Sequence, residues 1–174
     1  MYILSQIIET LALIITLISY HMKTKKQIFN GMIFANILDI GHYVLLGAFS
    51  GCSTKIMALI RNIFIIRKES NKNLNKYIYL ILFVIAYVVL AVLSYANIYS
   101  TFPFAAAIIY MIVVWNGDEL NIKRIAFLCY FLWLIYNISI FSIMGIISNM
   151  ISLISTFIAY YKHRQGIHTK INWQ

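Results

Sequence analysis

The chain carries one hydrophobic layout twice, 94 residues apart. A shift of 94 positions moves residues 10–68 onto residues 104–162 without a gap. Each copy reads apolar segment, charged break, apolar segment, glycine-containing break, apolar segment and basic end, so that Gly51 falls on Gly145. Identical residues mean little in an Ile/Leu-rich sequence, but the shared order of breaks indicates two three-helix units. Such repeats are a known plan for small transporters.

The composition indicates that lipid is the solvent of this chain. It is 62% hydrophobic and 11% charged, with one proline, and so has little polar surface to offer water. Its start does not match a cleavable signal peptide, because no basic residue precedes the apolar stretch and Glu9 lies within it. Cys52 and Cys129 lack metal-site or redox-motif spacing. We therefore expect neither a metal site nor a cofactor.

The apolar segments predict an all-α membrane protein with seven transmembrane helices. A helix needs roughly 20 apolar residues to span a bilayer. The third predicted span is short and contains Arg61, so a helix lying in the membrane interface is the alternative for that segment. The predicted spans are 3–22, 28–49, 53–67, 77–97, 99–116, 122–141 and 143–161.

The distribution of charge favours seven spans. With the N-terminus outside, the basic breaks all fall inside, and the connections near 50–54, 97–101 and 140–142 hold no Lys or Arg. The net charge of +9 therefore follows the positive-inside rule and does not indicate nucleic-acid binding. The expected orientation places the N-terminus outside and the C-terminus in the cytoplasm.

Three crossings leave the chain on the opposite side of the membrane from its start. A second three-helix unit in the same orientation therefore requires one extra crossing before it. The predicted arrangement is 3+1+3, two parallel repeats joined by a linker helix. Pro103 lies in the first turn of the fifth span, where proline starts a helix at no cost in hydrogen bonds. The predicted domains are a first bundle at 1–76, a linker helix at 77–98, a second bundle at 99–162 and a cytoplasmic tail at 163–174.

Five ionisable side chains lie inside predicted spans of the first unit. A charge at mid-bilayer costs about 2.5–3.5 kcal/mol on insertion scales, so each needs a partner or a wet cavity. The second unit is polar or aromatic at the equivalent positions, which suggests a single asymmetric site between the halves. The five are Glu9, Asp39, His42, Lys55 and Arg61, and their counterparts are Pro103, Trp133, Tyr136, Asn149 and Ser155.

Depth along the spans predicts that Asp39 and Arg61 lie close enough to neutralise one another. His42 shares a helix face with Asp39, Glu9 is within reach of His42 or Arg61, and Lys55 can extend to the outer surface. Two interpretations stay open: a structural ion pair, or a site where Arg61 and His42 hold an anionic or polar solute, with Asp39 or Glu9 as counter-charge or proton site. The predicted substrate-binding residues are Asp39, His42, Arg61, Trp133, Asn137 and Asn149, and no catalytic residue is predicted.

Two stretches resemble the YgjV-like bacterial inner membrane proteins. They are residues 42–48 (HYVLLGA), followed by Ile60-Arg61, and residues 133–137 (WLIYN), where Tyr136 replaces the histidine of the family's Trp-x-x-His-Asn stretch. The resemblance covers essentially the whole chain, through residues 164–167 (RQGI). It implies a location in the bacterial inner membrane and names no reaction.

More distantly, the 3+1+3 plan is similar to the SWEET and PQ-loop transporters. Their helix tryptophan and asparagine correspond to Trp133 and Asn149, whereas the first half has Asp39 and Lys55 instead, and the proline-glutamine motif is absent. The resemblance implies a small-solute transporter working by alternating access. The charged first half departs from the pattern of these sugar carriers and favours an anionic or zwitterionic solute over a neutral sugar. KDEL receptors are similar to this wider group, so a receptor-like binding protein is the alternative.

An intramembrane enzyme is disfavoured, because no nucleophile–base pair stands out. The expected partners are a small-molecule solute and the lipid bilayer, with no nucleic acid, and assembly into a homo-oligomer is left open.

Overall fold

Seven α-helices make up most of the chain in the computed structural model, which describes residues 1–20, 25–70, 76–116 and 119–164. The prediction of seven helices is confirmed, and the described residues contain no strand. Most of the predicted tail, from residue 165 onward, lies outside the described residues. The helices are α1 (Tyr2–Tyr20), α2 (Lys25–Leu45), α3 (Phe49–Ser70), α4 (Lys76–Leu93), α5 (Phe102–Asn116), α6 (Glu119–Ser139) and α7 (Ile143–Arg164).

Several helix ends differ from those predicted; α2 and α4, for example, end four residues early, at Leu45 and Leu93. The third helix, predicted for 53–67, runs over 22 residues as α3 and begins directly after a tight turn. The fifth, predicted from residue 99, is preceded by a 3₁₀ turn at Ile98–Thr101, because the side chain of Asn97 accepts a hydrogen bond from the Ser100 N–H at 3.2 Å. Pro103 is the second residue of α5, in the first turn as predicted.

Six of the helices form a closed ring. Within the first half α2 packs between α1 and α3, and within the second half α6 packs between α5 and α7. The halves meet through α1 against α7 and α3 against α5, while α4 lies outside the ring against α3 and α5. In the repeat, α1 corresponds to α5 and α3 corresponds to α7, so the α1–α7 and α3–α5 interfaces are equivalent. This equivalence is expected of a repeat-like architecture.

The α2–α3 and α6–α7 turns are alike in detail. Gly47 has φ of 67° and Phe141, which lies 94 positions later, has φ of 54°, so both adopt the left-handed conformation. Equivalent backbone N–H groups then close the two turns with hydrogen bonds of 2.9 Å, from Ala48 to the carbonyl of Tyr43 and from Ser142 to that of Asn137. The 94-residue offset read from the sequence is therefore present in the structure of these turns.

The exterior of the ring is apolar and its interior is small or polar. On α1 one face buries Ser5, Glu9, Ala12 and Ser19. A helix of a water-soluble protein shows the reverse pattern, with its apolar stripe turned inward. The outward face of α1 exposes Ile3, Ile7, Leu11, Ile14 and Ile18.

Length and hydropathy single out α1 as the one described helix that could cross a bilayer unaided, over Tyr2–Ser19. Charged residues interrupt α2 and α3, although Asp39, Lys55 and Arg61 face an internal cavity while Phe34 and Ile60 are exposed outside. Shorter apolar stretches occur at Tyr77–Leu93, Ile98–Val113, Arg124–Ser139 and Ile143–Ile158.

Candidate functional site

A cavity of about 240 Å³ lies within the helix ring and is lined by both halves. Five of the predicted site residues meet there: Glu9, Asp39 and Arg61 from the first half, and Trp133 and Asn149 from the second. Lys55, Asn62, Tyr110 and Ser148 also contribute to the wall. Both acidic and basic groups therefore face one small space, which suits a polar solute better than an apolar one.

Asp39 pairs with Lys55, and the predicted Asp39–Arg61 pair is wrong. The Lys55 Nζ donates to Asp39 Oδ2 at 2.6 Å. Asp39 lies six residues before the end of α2 at Leu45, and Lys55 lies six residues after the start of α3 at Phe49. In an antiparallel hairpin, residues at equal distance from the turn face each other. Arg61 is six residues further along α3, about 9 Å away at 1.5 Å per residue.

Lys55 also links the two halves. Its Nζ lies 4.9 Å from the centre of the Trp133 ring, within cation–π distance. Trp133 occupies the position on α6 that Asp39 occupies on α2. The Lys55 ammonium group thus contacts both Asp39 and Trp133, which occupy equivalent positions in the two halves. The sequence analysis did not assign this central role to Lys55.

Arg61 has neutral neighbours. Its Nε and Nη2 donate to Asn62 Oδ1 at 3.4 Å, and its guanidinium carbon lies 5.7 Å from the centre of the Tyr110 ring. In the part of the chain that the structure describes, no carboxylate lies within ion-pair distance of this guanidinium. Arg61, which lines the cavity, therefore keeps guanidinium N–H donors available to an anionic group.

Glu9 is a buried carboxylate at the cavity wall, 7% exposed. Its Oε2 lies 3.9 Å from His42 Nε2, which confirms the predicted proximity of the two side chains. No described residue donates a hydrogen bond to Oε2. Buried polar atoms are nearly always hydrogen-bonded, so this open acceptor requires an explanation.

His42 does not line the cavity but joins three helices behind it. Its Nδ1 lies 2.8 Å from the Ser5 carbonyl of α1, and its Nε2 lies 2.9 Å from the Ser142 Oγ next to α7. A carbonyl can only accept, so Nδ1 carries a proton, and in a neutral ring Nε2 accepts from the Ser142 hydroxyl. The structure thus places His42 outside the cavity wall, where both ring nitrogens already have partners.

Asn137, another predicted binding residue, also lies behind the cavity. Its Oδ1 accepts a hydrogen bond from the Tyr43 hydroxyl at 3.2 Å. Tyr43 and Asn137 are 94 residues apart and therefore occupy equivalent positions in the two halves. This bond joins α2 to α6 where the halves meet.

The second half caps a helix of the first half, whereas its own α7 is capped locally. In α7 the Gly145 N–H donates to the Ser142 Oγ at 3.1 Å, an N-cap within the hairpin. The equivalent residue before α3 is Ala48, which has no side-chain oxygen. The Gly51 N–H donates instead to the Tyr136 hydroxyl at 2.9 Å, from the opposite half. Sequence reasoning missed this contact, although alanine at an N-cap position aligned with serine was a usable signal.

These contacts form a closed layer between the cavity and the turns, made of His42, Tyr43, Tyr136 and Asn137. All four side chains are at most 2% exposed. The layer lies at the end of the ring that holds the α2–α3 and α6–α7 turns, called here the turn end. The opposite end, called here the basic end, is where α1, α3 and α5 finish. The cavity therefore has a shut side, and that side is held by hydrogen bonds between the halves.

An apolar exterior around a charged interior cavity defines a helical membrane protein. The model of the Imp-YgjV family, described as bacterial inner membrane protein, matches residues 3–166, and the chain belongs to that family. The resemblance identified from the sequence, and the location it implies, are confirmed. No curated protein and no solved structure matches the chain.

Proposed function

We propose that this protein is a small-solute transporter that works by alternating access. Two three-helix bundles, α1–α3 and α5–α7, rock about the cavity between them, and α4 is the linker of a 3+1+3 arrangement. The observation that carries the proposal is a cavity shared by both halves, lined by Glu9, Asp39, Lys55 and Arg61 and shut at one end by contacts between the halves.

The distribution of polar and apolar side chains supports a multi-pass topology. The charges that interrupt α2 and α3 within the ring face the cavity, so the outer surface of both helices stays apolar. A charged residue within a membrane helix is tolerated where it lines a wet cavity or has a partner. Under this topology the turn end faces the outside and the basic end faces the cytoplasm.

Packing within and between the halves supports rigid-body motion of the two bundles. Helices pack extensively inside each half, whereas the halves meet over the smaller α1–α7 and α3–α5 contacts. Hydrogen bonds that join the halves, such as that from Tyr43 to Asn137, contribute a net 0.5–1.5 kcal/mol each, roughly. Such contacts are strong enough to hold one state and weak enough to exchange for another. The described arrangement is the state closed at the turn end.

Flux into proteoliposomes tests the proposal. Vesicles containing the purified protein and loaded with an unlabelled mixture of anionic and zwitterionic metabolites should exchange it for the same mixture in radiolabelled form. Arg61→Ala should abolish the exchange, because it removes the cavity cation with open donors, while the protein still inserts and folds. Arg67→Ala is the matched control, since Arg67 lies on the same helix but outside the cavity wall.

Two results would contradict this proposal. Full exchange by Arg61→Ala would remove Arg61 from the solute path. Saturable binding of solute without any flux would identify a receptor-like membrane protein on this scaffold.

A further inference from the structure

We propose that the cavity binds a linear zwitterion, with its carboxylate on Arg61 and its ammonium group on Glu9. This inference rests on the proposed function in treating the cavity as the solute site. It adds the chemical class of the solute, the direction in which it lies and the separation of its charges.

The charges of the cavity wall divide into a satisfied pair and an unsatisfied pair. Asp39 and Lys55 neutralise one another through a contact of 2.6 Å. Glu9 and Arg61 remain, an acidic and a basic side chain that no ion pair joins in the described part of the chain. A zwitterion offers each of them a group of opposite charge, whereas a solute with one charge offers a partner to only one of them.

Glu9 provides the site for the ammonium group. Its side chain is more than nine-tenths buried, and its Oε2 accepts no hydrogen bond from any described residue. His42 Nε2 lies 3.9 Å away, but in the neutral ring it accepts from Ser142 and has no proton to donate to Glu9. The ionised carboxylate accepts hydrogen bonds only, so it takes a donor, and an ammonium group supplies up to three.

Arg61 provides the site for the carboxylate. A guanidinium has five N–H donors, and the contacts of Arg61 with Asn62 Oδ1 use two of them at a long 3.4 Å. The Tyr110 ring lies 5.7 Å from the guanidinium carbon, within cation–π distance. The planar fork of an arginine recognises a carboxylate through two parallel hydrogen bonds.

The two sites lie at different depths. Glu9 lies beside Asp39 and Lys55, with which it interacts electrostatically. Arg61 lies six residues further along α3 than Lys55, about 9 Å closer to the basic end. The ammonium and carboxylate groups of the solute should therefore be separated by several carbon atoms. This spacing favours an ω-amino acid over an α-amino acid.

Thermal unfolding of the full chain in detergent tests the assignment. A ligand that binds the native state raises its melting temperature by an amount that grows with the ratio of ligand concentration to Kd. The probe is 5-aminopentanoate, and the controls are pentanoate and pentylamine, which each keep one charge, and glycine, which keeps both charges at short separation. We expect a concentration-dependent rise with 5-aminopentanoate, and at least tenfold weaker apparent affinity for each control.

Three variants assign the contacts. Arg61→Gln and Glu9→Gln should each weaken 5-aminopentanoate at least tenfold, and Glu9→Gln should bind it no better than pentanoate. Arg67→Gln, outside the cavity wall, should bind it as the native protein does. If Glu9→Gln fails to fold, N-acetyl-5-aminopentanoate on the native protein removes the same ammonium contact and should bind at least tenfold more weakly.

The outcomes separate this inference from the proposed function. Absence of binding by 5-aminopentanoate, equal binding of pentanoate or pentylamine, or binding that survives Arg61→Gln would overturn the inference. Exchange of a neutral or singly charged solute in proteoliposomes would also overturn it while leaving transport intact. Binding of 5-aminopentanoate without its flux would support the inference and contradict transport.

Discussion

Gly47 and Phe141, which are equivalent residues in the two halves, both adopt the left-handed backbone conformation. Glycine adopts this conformation freely, whereas a side chain at Cβ costs roughly 1–2 kcal/mol there. The first half has Gly47 in its turn and the second half has Phe141, which is 79% exposed. The second turn therefore carries strain that the first avoids, with little burial to offset it.

Exchanging the residue types at these turns should change stability in opposite directions. Phe141→Gly should raise the free energy of unfolding by about 0.5–1 kcal/mol, and Gly47→Ala should lower it by about 1 kcal/mol. A Cβ at position 47 would meet no atom within 4 Å, so that loss would be conformational. Denaturant unfolding in detergent measures both. Phe49→Gly, at a similarly exposed phenylalanine that begins α3, is the control and should not gain stability.

The Asp39–Lys55 pair should be strongly coupled. Lys55 is 24% exposed and Asp39 is 11% exposed, so removing either one leaves a charge in a partly desolvated site. We expect Asp39→Asn and Lys55→Gln each to reduce the free energy of unfolding by about 1–3 kcal/mol. The double variant should lose less than the sum, with a coupling energy of about 1 kcal/mol or more in a double-mutant cycle. Additive losses would show that the two side chains act independently.

At the scale of elements, α3 depends on a tyrosine from the other half for its cap. The Tyr136 hydroxyl accepts hydrogen bonds from the Gly51 N–H and the Ser50 hydroxyl, both at 2.9 Å. The α7 hairpin does not need this help, because Ser142 precedes it and caps it directly. A stabilising contact of one helix is thereby also a contact between halves.

A compensating substitution tests that dependence. Tyr136→Phe should reduce the free energy of unfolding by about 1–3 kcal/mol, because the Gly51 N–H and the Ser50 hydroxyl lose their buried acceptor. Adding Ala48→Ser should restore about 1 kcal/mol, since serine at this position can cap α3 as Ser142 caps α7. Ala48→Ser alone should change little. Failure of the rescue would show that Tyr136 acts through something other than the cap.

Helix number was predictable because it follows from apolar length and basic breaks, both of which are local. The pairing of Asp39 was not, because it depends on where the α2–α3 turn falls. The predicted third span began at residue 53, whereas α3 begins at Phe49, and four residues are more than one helical turn. With the turn fixed at Gly47, equal distances from it would have selected Lys55.

The closed layer could not be predicted because it depends on contacts between residues far apart in sequence. His42 and Asn137 were correctly singled out as unusual polar residues inside apolar segments. Whether such a residue faces a cavity or a neighbouring helix depends on how the helix is rotated about its own axis. A sequence that is apolar on all sides of a helix does not determine that rotation. Glu9, Asp39, Arg61, Trp133 and Asn149 were predicted for the site and do line one cavity.

For the whole molecule, membrane topology is the first consequence to check. Reporter fusions after residue 75 and at the C-terminus should both report the cytoplasm, so that green fluorescent protein is fluorescent and alkaline phosphatase is inactive at each site. If α3 lay in the membrane interface, the fusion after residue 75 would report the outside. Phosphatase activity at either site would contradict the seven-span arrangement.

Access to the cavity from both sides tests the central claim, a solute path between two moving halves, most directly. Ser152→Cys places a thiol in the cavity wall of a chain carrying Cys52→Ala and Cys129→Ser, and a membrane-impermeant thiol reagent is added to right-side-out or inside-out vesicles. The account predicts labelling from both sides, and Tyr43→Phe should speed labelling from the turn end about two- to tenfold by removing one bond between the halves. Labelling from the basic end alone, unchanged by Tyr43→Phe, would show a cavity that opens to one side of the membrane only and would contradict alternating access.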